Sequence, residues 1–425
     1  MISFQSLPDS RLNDRAHHSV NLLLQNPSAP LTQVFNNYAD LEGFYRFIKN
    51  PRVTVKGIMD SIIKETQDSA ALDCELVAIH DTTFVNPTLN KKSKRLGGVG
   101  IGTHLSLMAS SSSPRVYGAA SIQFLDRDSK NCRTKSSVEY SRWIKGSSNI
   151  SKLFNQEVIH LMDREADSYE IFCELQENYQ RYVIRICHDR AIEDDYYDKC
   201  YAKLDDSPAQ GSLEVKVSKR SENALPYSKK VNPPRKERLI KLNYSSTTAV
   251  LLRSERAKKE LPDECEVNLV RVWEKDPPAG EKPVEWILVT SEPIKAKDEI
   301  KKVIKLYRKR WVIEEFFKGL KTGCNIEKKQ FEDIESWKKL IAFYMPMTTK
   351  ILNLRELVEG SINETQKEVL EAITGKTLNN IKDILYAVAN LGGHIKYNGP
   401  PGWMVLFRGM NQLNLLETGW KLRSD

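Results

Sequence analysis

A chain of 425 residues, 40% of them hydrophobic, is long enough to bury more than one core, which argues against a mainly disordered polypeptide. Its 64 Lys and Arg against 56 Asp and Glu leave a formal net charge of +8, a balance that favours a polyanionic partner. The seven cysteines, at positions 74, 132, 173, 187, 200, 265 and 324, form no CxxC pair and no recurrent spacing with the seven histidines, so a disulfide framework and a structural zinc site are both poor readings.

The opening segment MISFQSLPDSRLNDRAHHSV lacks the basic start and apolar core of a signal peptide. No later stretch reaches the roughly 18 uninterrupted apolar residues of a membrane span, so a cytoplasmic protein with no membrane partner is expected. Residues 1–70 read as a small helical domain. Asp9 and Ser10 suit an N-cap before a helix over Arg11–Leu24, and Leu41–Lys49 is a second periodic stretch that stops at Asn50-Pro51.

From Leu76 the pattern changes to short apolar runs, namely LVAIH before Asp81, SLMAS at 106–110, VYGAASIQF at 116–124 and EVIHLM before Asp163. Helical text from Glu165 to Asn178 follows, giving the order β-β-β-α-β-α of a mixed α/β domain. YVIRI at 182–186 adds a strand. Residues 188–283 are polar and broken by prolines, with strand-like SLEVKVS, RLIKLNY, TAVLLR and NLVRVW, and read as a β-rich insertion. VEWILVT at 284–290 restores the core pattern, Pro293 marks a turn, and a long helix is expected from about Lys295 to Thr322, before Gly323. The rest is mainly helical, broken at Gly392-Gly393 and Pro400-Pro401.

At about 100° per residue, Tyr307, Arg310, Glu314, Lys318 and Lys321 fall within roughly 80° on that long helix, beside an apolar stripe of Leu306, Ile313, Phe317 and Leu320. A ladder of i,i+4 salt bridges would account for the charges blandly. Asp81 and Asp163 each follow a strand-like run, where a carboxylate either caps a turn or points into a crevice that collects a hard cation. Two acids at strand ends and a third on a late helix can surround two Mg²⁺ ions, the arrangement that aligns in-line attack on a phosphodiester.

DTT at 81–83, DREAD at 163–167 and YRKRWVIEEFFKGLKTG at 307–323 resemble the bacterial insertion-sequence DDE transposases with the Y-x2-R-x3-E-x6-K signature, the group that includes the transposase of transposon five. YRFIKNP at 45–51, WILVTSEP at 286–293 and NLGG at 390–393 extend the resemblance over most of the chain. It implies a ribonuclease-H-like catalytic domain over 71–357 with the β-rich insertion at 188–283, between the helical DNA-end-binding domain of 1–70 and a helical region, 358–425, that could serve dimerisation. It implies Asp81, Asp163 and Glu314 as catalytic, metal-binding residues for Mg²⁺ or Mn²⁺, two ions in all. Helix geometry agrees, since Glu315 lies about 100° from Glu314.

By the same resemblance Tyr307, Arg310, Lys318 and Lys321 grip the transposon end, Trp286 accepts a flipped base, and Arg185 contacts DNA. For Trp286 the alternative is an indole filling the sheet. Arg11, Arg15 and Lys49 are candidates for reading the terminal repeat. KKSKR at 91–95 and Lys229, Lys230, Arg235, Lys236 and Arg238 are weaker basic candidates, equally readable as solvated loops.

The resulting expectation is cut-and-paste transposition of an insertion sequence, with double-stranded DNA as partner, a homodimer in the DNA complex and a nucleoid-associated location. The N-terminus before Arg11 and the tail beyond Leu357 are both shorter than in the best-known relative, which weakens carry-over of end recognition and of the pairing surface. Two rivals stay open: a ribonuclease-H-like nuclease without strand transfer, and a transposase-derived DNA-binding repressor. A paired-carboxylate glycosidase is disfavoured, because cations beside Glu314 would lower its pKa, the opposite of what a general acid needs.

Overall fold

In a computed structural model the described residues are 3–35, 37–87, 100–125, 140–217, 234–255, 257–281, 283–395 and 399–424. The basic candidates at 91–95, together with Lys229 and Lys230, lie outside them.

In chain order the elements are α1 (Ser10–Gln25), α2 (Leu31–Val34), α3 (Tyr38–Lys49), α4 (Val55–Ala70), β1 (Glu75–Val85), β2 (Ile101–Ser110), β3 (Val116–Leu125), α5 (Ser141–Leu153) and β4 (Glu157–Met162). They continue with α6 (Tyr169–Glu177), β5 (Arg181–Ile186), β6 (Ile192–Glu193), α7 (Cys200–Asp206), β7 (Gly211–Val217), β8 (Arg238–Leu252), β9 (Glu264–Glu274) and β10 (Glu285–Thr290). The last are α8 (Lys297–Lys309), α9 (Trp311–Lys318), α10 (Ile334–Arg355), α11 (Glu364–Thr374), α12 (Ile381–Leu391) and α13 (Trp403–Ser424). The fold class is mixed α/β, as expected. Among the described residues no helix is long and apolar enough to cross a membrane.

The chain divides into two compact units, Met1–Val158 with Trp311–Asp425, and Ile159–Arg310. In the first, the helices start where short polar side chains can take up orphan backbone donors. Asp9 accepts from the Leu12 amide at 3.3 Å and Thr54 from the Gly57 amide at 3.0 Å. β1, β2 and β3 form an antiparallel meander with Asp81 opposite Leu105 and Ser106 opposite Ser121. Every residue of β2 is buried, as befits a strand flanked on both edges and covered by helices. α4 packs against β3 closely enough for the Thr66 hydroxyl to reach the Ala119 carbonyl at 3.2 Å. Gly118, at φ 151°, makes that approach possible, because a Cβ there would collide with Thr66.

In the second unit β4 and β5 are parallel, joined through α6, and the order continues β5-β10-β9-β8 by antiparallel pairing, with β6 and β7 both on β8. α8 lies against β5 and β9. An ion pair between Arg181 and the buried Glu292, 2.5 Å apart, ties the start of β5 to the turn that follows β10.

Four expectations are corrected. RLIKLNY and all but the last residue of TAVLLR lie on one 15-residue strand, β8, because the intervening Ser-Ser-Thr continues the ladder with β9 instead of turning. The helix expected from Glu165 begins only at Tyr169, after a 3-10 turn over Arg164–Ala166. The helix expected over 295–322 is interrupted at Arg310 and ends in a π-helical turn, Gly319–Gly323. The wider π turn slows the angular advance per residue, so Lys321 departs from the α-helical phase that places Lys318. Asp81 stands inside a strand that runs on to Val85, so the acid is not at a strand end.

Candidate functional site

Asp81 belongs to the first unit. Its Oδ1 accepts the Thr82 backbone N–H at 2.7 Å, and the neighbouring Thr82 hydroxyl is held by His104 Nδ1 at 2.9 Å. His80, on the same side of β1 as Thr82, pairs with Ser106 Oγ at 2.9 Å. His104 is buried against the Trp143 ring and beside the Arg142 charge, and burial followed by that charge lowers its pKa to about 3, so it stands neutral. A buried polar layer therefore backs the strand that carries Asp81.

α9 packs against β1, which brings the helix bearing Glu314 onto the strand bearing Asp81. On α9 the Glu315 Oε2 accepts the Trp403 indole N–H at 3.0 Å and lies 3.1 Å from Arg355. Lys318 leans toward Glu315 as well, at 3.7 Å, and is more than half exposed. Lys321 is half-buried, and its pKa is lowered by burial with Glu327 opposing. The apolar stripe members Ile313, Phe317 and Leu320 are buried, as their period requires.

Asp163 lies in the second unit, one residue past β4. Its Oδ1 accepts the Glu165 amide at 2.9 Å, so it is the N-cap of the 3-10 turn. Sequence reasoning missed the last acid of the DREAD run. Asp167 is fully buried and accepts the amides of Cys187 and His188 at 2.7 and 2.8 Å, His188 Nδ1 at 2.8 Å and the guanidinium of Arg190. Asp167, Cys187 and His188 offer ligand atoms within 4.8 Å of one another. Their chemistry does not suit a cation, because an arginine already occupies the carboxylate and burial beside Asp167 raises the Cys187 thiol above its ordinary range. Asp167 is thus a clamp that fixes the turn after β4 to the end of β5. The DREAD text carries no sign of this, since the donors lie 20 to 23 residues downstream.

Five of the expected DNA-processing residues meet within this unit. The Trp286 and Tyr307 rings stand edge to face, 5.8 Å apart at 63°. Trp286 is half-buried, which places it between the two alternatives of a core indole and an open platform. Arg185 lies opposite Leu288 on β10, on the same side of the sheet as Trp286, and donates to the Glu285 carbonyl at 3.1 Å. Burial raises the Tyr307 phenol, Arg310 and Arg185 pull it down, and Asp163 pushes it up, so all three charges act at this ring. Arg238, read from sequence as part of a basic loop, instead opens β8 and pairs with Glu274 and Glu281.

In the helical segment at the start of the chain, Arg11 is exposed, with Asp9 3.9 Å away. Arg15 is engaged by Asp40 at 3.2 Å, which it shares with His18. Lys49 is exposed and 3.6 Å from Glu332.

Two acids that the sequence singled out, Asp163 and Glu314, fall within residues 126–344, the span that matches the model of the transposase DDE domain. That span exceeds half of the chain, and the chain belongs to the transposase DDE-domain family, whose members use divalent metal ions. Residues 4–53, which include α1 to α3, match the transposase DNA-binding model, so DNA is a partner of the chain. Asp81 lies outside both spans. Among solved structures the chain is similar to a piggyBac transposase synaptic complex with hairpin DNA, at 9% identity and a TM-score of 0.36 over 95% of this chain and 72% of that one. So distant a likeness transfers no residue and no step.

Proposed function

We propose that this protein is a cut-and-paste transposase of an insertion sequence, with the Y-x2-R-x3-E-x6-K signature and a ribonuclease-H-like catalytic domain over 71–357, between an end-binding domain of 1–70 and a C-terminal region of 358–425. Asp81, Asp163 and Glu314 are its metal-holding acids. The observation that carries the reading is the match of residues 126–344 to the DDE-domain model, a span that contains both Asp163 and Glu314.

The donor set fits Mg²⁺ or Mn²⁺: carboxylates are hard oxygen ligands. Two bound ions would supply charge neutralisation and the activation of a hydroxyl for in-line attack. The chain's own groups do the rest. Lys318 and Lys321 act as point charges for phosphates flanking the scissile bond, and Arg310 as a planar fork. Arg185 adds a further backbone contact.

Water nicks one strand at the element's end. The freed 3′ hydroxyl attacks the opposite strand and closes a hairpin, a second water opens it, and the released 3′ ends attack target DNA. Trp286, edge-on to Tyr307, offers its indole to the base that must leave the stack for the hairpin to close. Arg11, Arg15 and Lys49 contact the terminal repeat, with two copies of the chain pairing two ends.

The test is incubation with a duplex carrying the flanking inverted repeats, with Mg²⁺ or with EDTA, read on a denaturing gel. Hairpin products in Mg²⁺ alone are expected. Cleavage that ignores EDTA, or none with either repeat, would overturn the reading.

A further inference from the structure

Between Lys295 and Arg310 the chain carries eight cations and two acids, a net +6 within a whole-chain balance of +8. α8 spans most of this segment and buries Ile300, Val303, Ile304, Leu306 and Tyr307. Lys297, Lys301, Lys305 and Arg308 fall within about 80° on another side of the helix. Lys297, Lys305 and Arg308 are exposed, and Lys301 is half-exposed with Asp298 at 3.1 Å. At about 1.5 Å per residue the stripe is roughly 16 Å long, the rise of about five nucleotides of one DNA strand.

A solvated helix face is the bland account, and the macrodipole explains half of it. Cations near the C-terminal end, such as Lys305 and Arg308, are stabilised there, whereas Lys297 and Lys301 stand near the N-terminal end, where the dipole opposes them. Asp298 offsets Lys301, and Glu299 turns back to the Ala296 amide at 2.8 Å. The first half of the row is therefore not selected by helix stability.

We propose that this outer face of α8 is a docking surface for the phosphate backbone of target duplex DNA, distinct from the buried side of the same helix that carries Tyr307. A row of cations with no base-reading amide or carboxylate except the paired Asp298 positions a duplex without reading its sequence, as a target used at many sites requires. The existence of a target rests on the transposase reading above; the docking surface itself does not.

The experiment uses the full chain and the variant Lys297→Gln/Lys301→Gln/Lys305→Gln/Arg308→Gln, with circular dichroism as a control for folding. Binding of a duplex lacking the terminal repeat is followed from low to high salt. The slope of log affinity against log salt should shrink by about 0.9 per cation removed, roughly 3 to 4 in all. Binding and cutting of the repeat duplex should persist, while joining of pre-cut ends to a plasmid falls. The pair Lys297→Gln/Lys301→Gln, if the fourfold variant does not fold, should lose about 2 from the slope, and Lys→Arg at both should restore it. An unchanged slope overturns the proposal, as does an equal loss on the repeat duplex, which would assign the face to the element's end. A reduced slope in a protein whose wild type cuts neither duplex would leave the docking surface standing and remove the transposase reading instead.

Discussion

The Trp403 indole N–H lies 3.0 Å from Glu315 Oε2, and this bond ties the middle of α9 to the first residue of α13. Glu315→Ala should strand the indole and the Arg355 guanidinium, at a cost of about 1–3 kcal/mol, and lower the melting temperature. Glu314→Gln, which keeps the size of the side chain and removes its charge, should still fold and show no cleavage of repeat DNA. Thermal melts paired with a nicking gel check both. A Glu314→Gln protein that still cuts removes the residue from the triad.

The two aspartates of the DREAD run should part in the same way. Asp163→Asn keeps a good N-cap for the 3-10 turn and should fold normally without cutting DNA. Asp167→Ala leaves the Arg190 guanidinium, only 15% exposed, without its carboxylate and should cost about 3–5 kcal/mol. Urea unfolding of the two variants gives the comparison, and equal midpoints would contradict it.

Lys329 is buried with its ammonium on the Pro27 and Ala29 carbonyls and over the Tyr344 ring, and burial lowers its pKa from 10.5 to about 8. The folded chain gives up this proton before the unfolded chain does, so between about pH 8 and 10.5 the unfolded state binds more protons and stability rises with pH. The contribution is fully present above 10.5 and is lost as pH falls through 8. At most about 3 kcal/mol is at stake. Denaturation midpoints at pH 7.5 and 10 should show a rise in wild type that Lys329→Met lacks; a parallel rise in both would exclude Lys329 as its source.

Trp286→Ala should lower the yield of hairpin by roughly tenfold or more, the factor expected from losing a base–aromatic stack of about 1–3 kcal/mol. First-strand nicking should persist, because the indole does not touch the attacking water in the proposed sequence. A time course on a labelled repeat duplex resolves the two steps, and a matching loss in both would make Trp286 a structural residue.

Much of this could be read in the linear text. The helical opening, the β-β-β-α-β-α order and the buried stripe Leu306, Ile313, Phe317 and Leu320 follow from periods of 3.6 and 2 that local text displays. Less legible were the breaks. The Ser-Ser-Thr-Thr in β8 looks like a turn until β9 supplies a partner along its whole length, and the π turn after Lys318 leaves no compositional mark.

The sequence by itself determined which acids and cations are the candidates, in DTT, DREAD and the run from Tyr307 to Gly323, and an angle of about 100° already puts Glu314 and Glu315 on different faces of their helix. Only the tertiary structure decided what the neighbouring acids do instead. The partners of Glu315 come from Arg355 and Trp403, 40 and 88 residues downstream, and those of Asp167 from the far end of β5. Periodicity reports which face a side chain is on, and that is a local property of the backbone. Whether a buried carboxylate meets an indole, a guanidinium or a cation depends on which distant segments the fold brings to it.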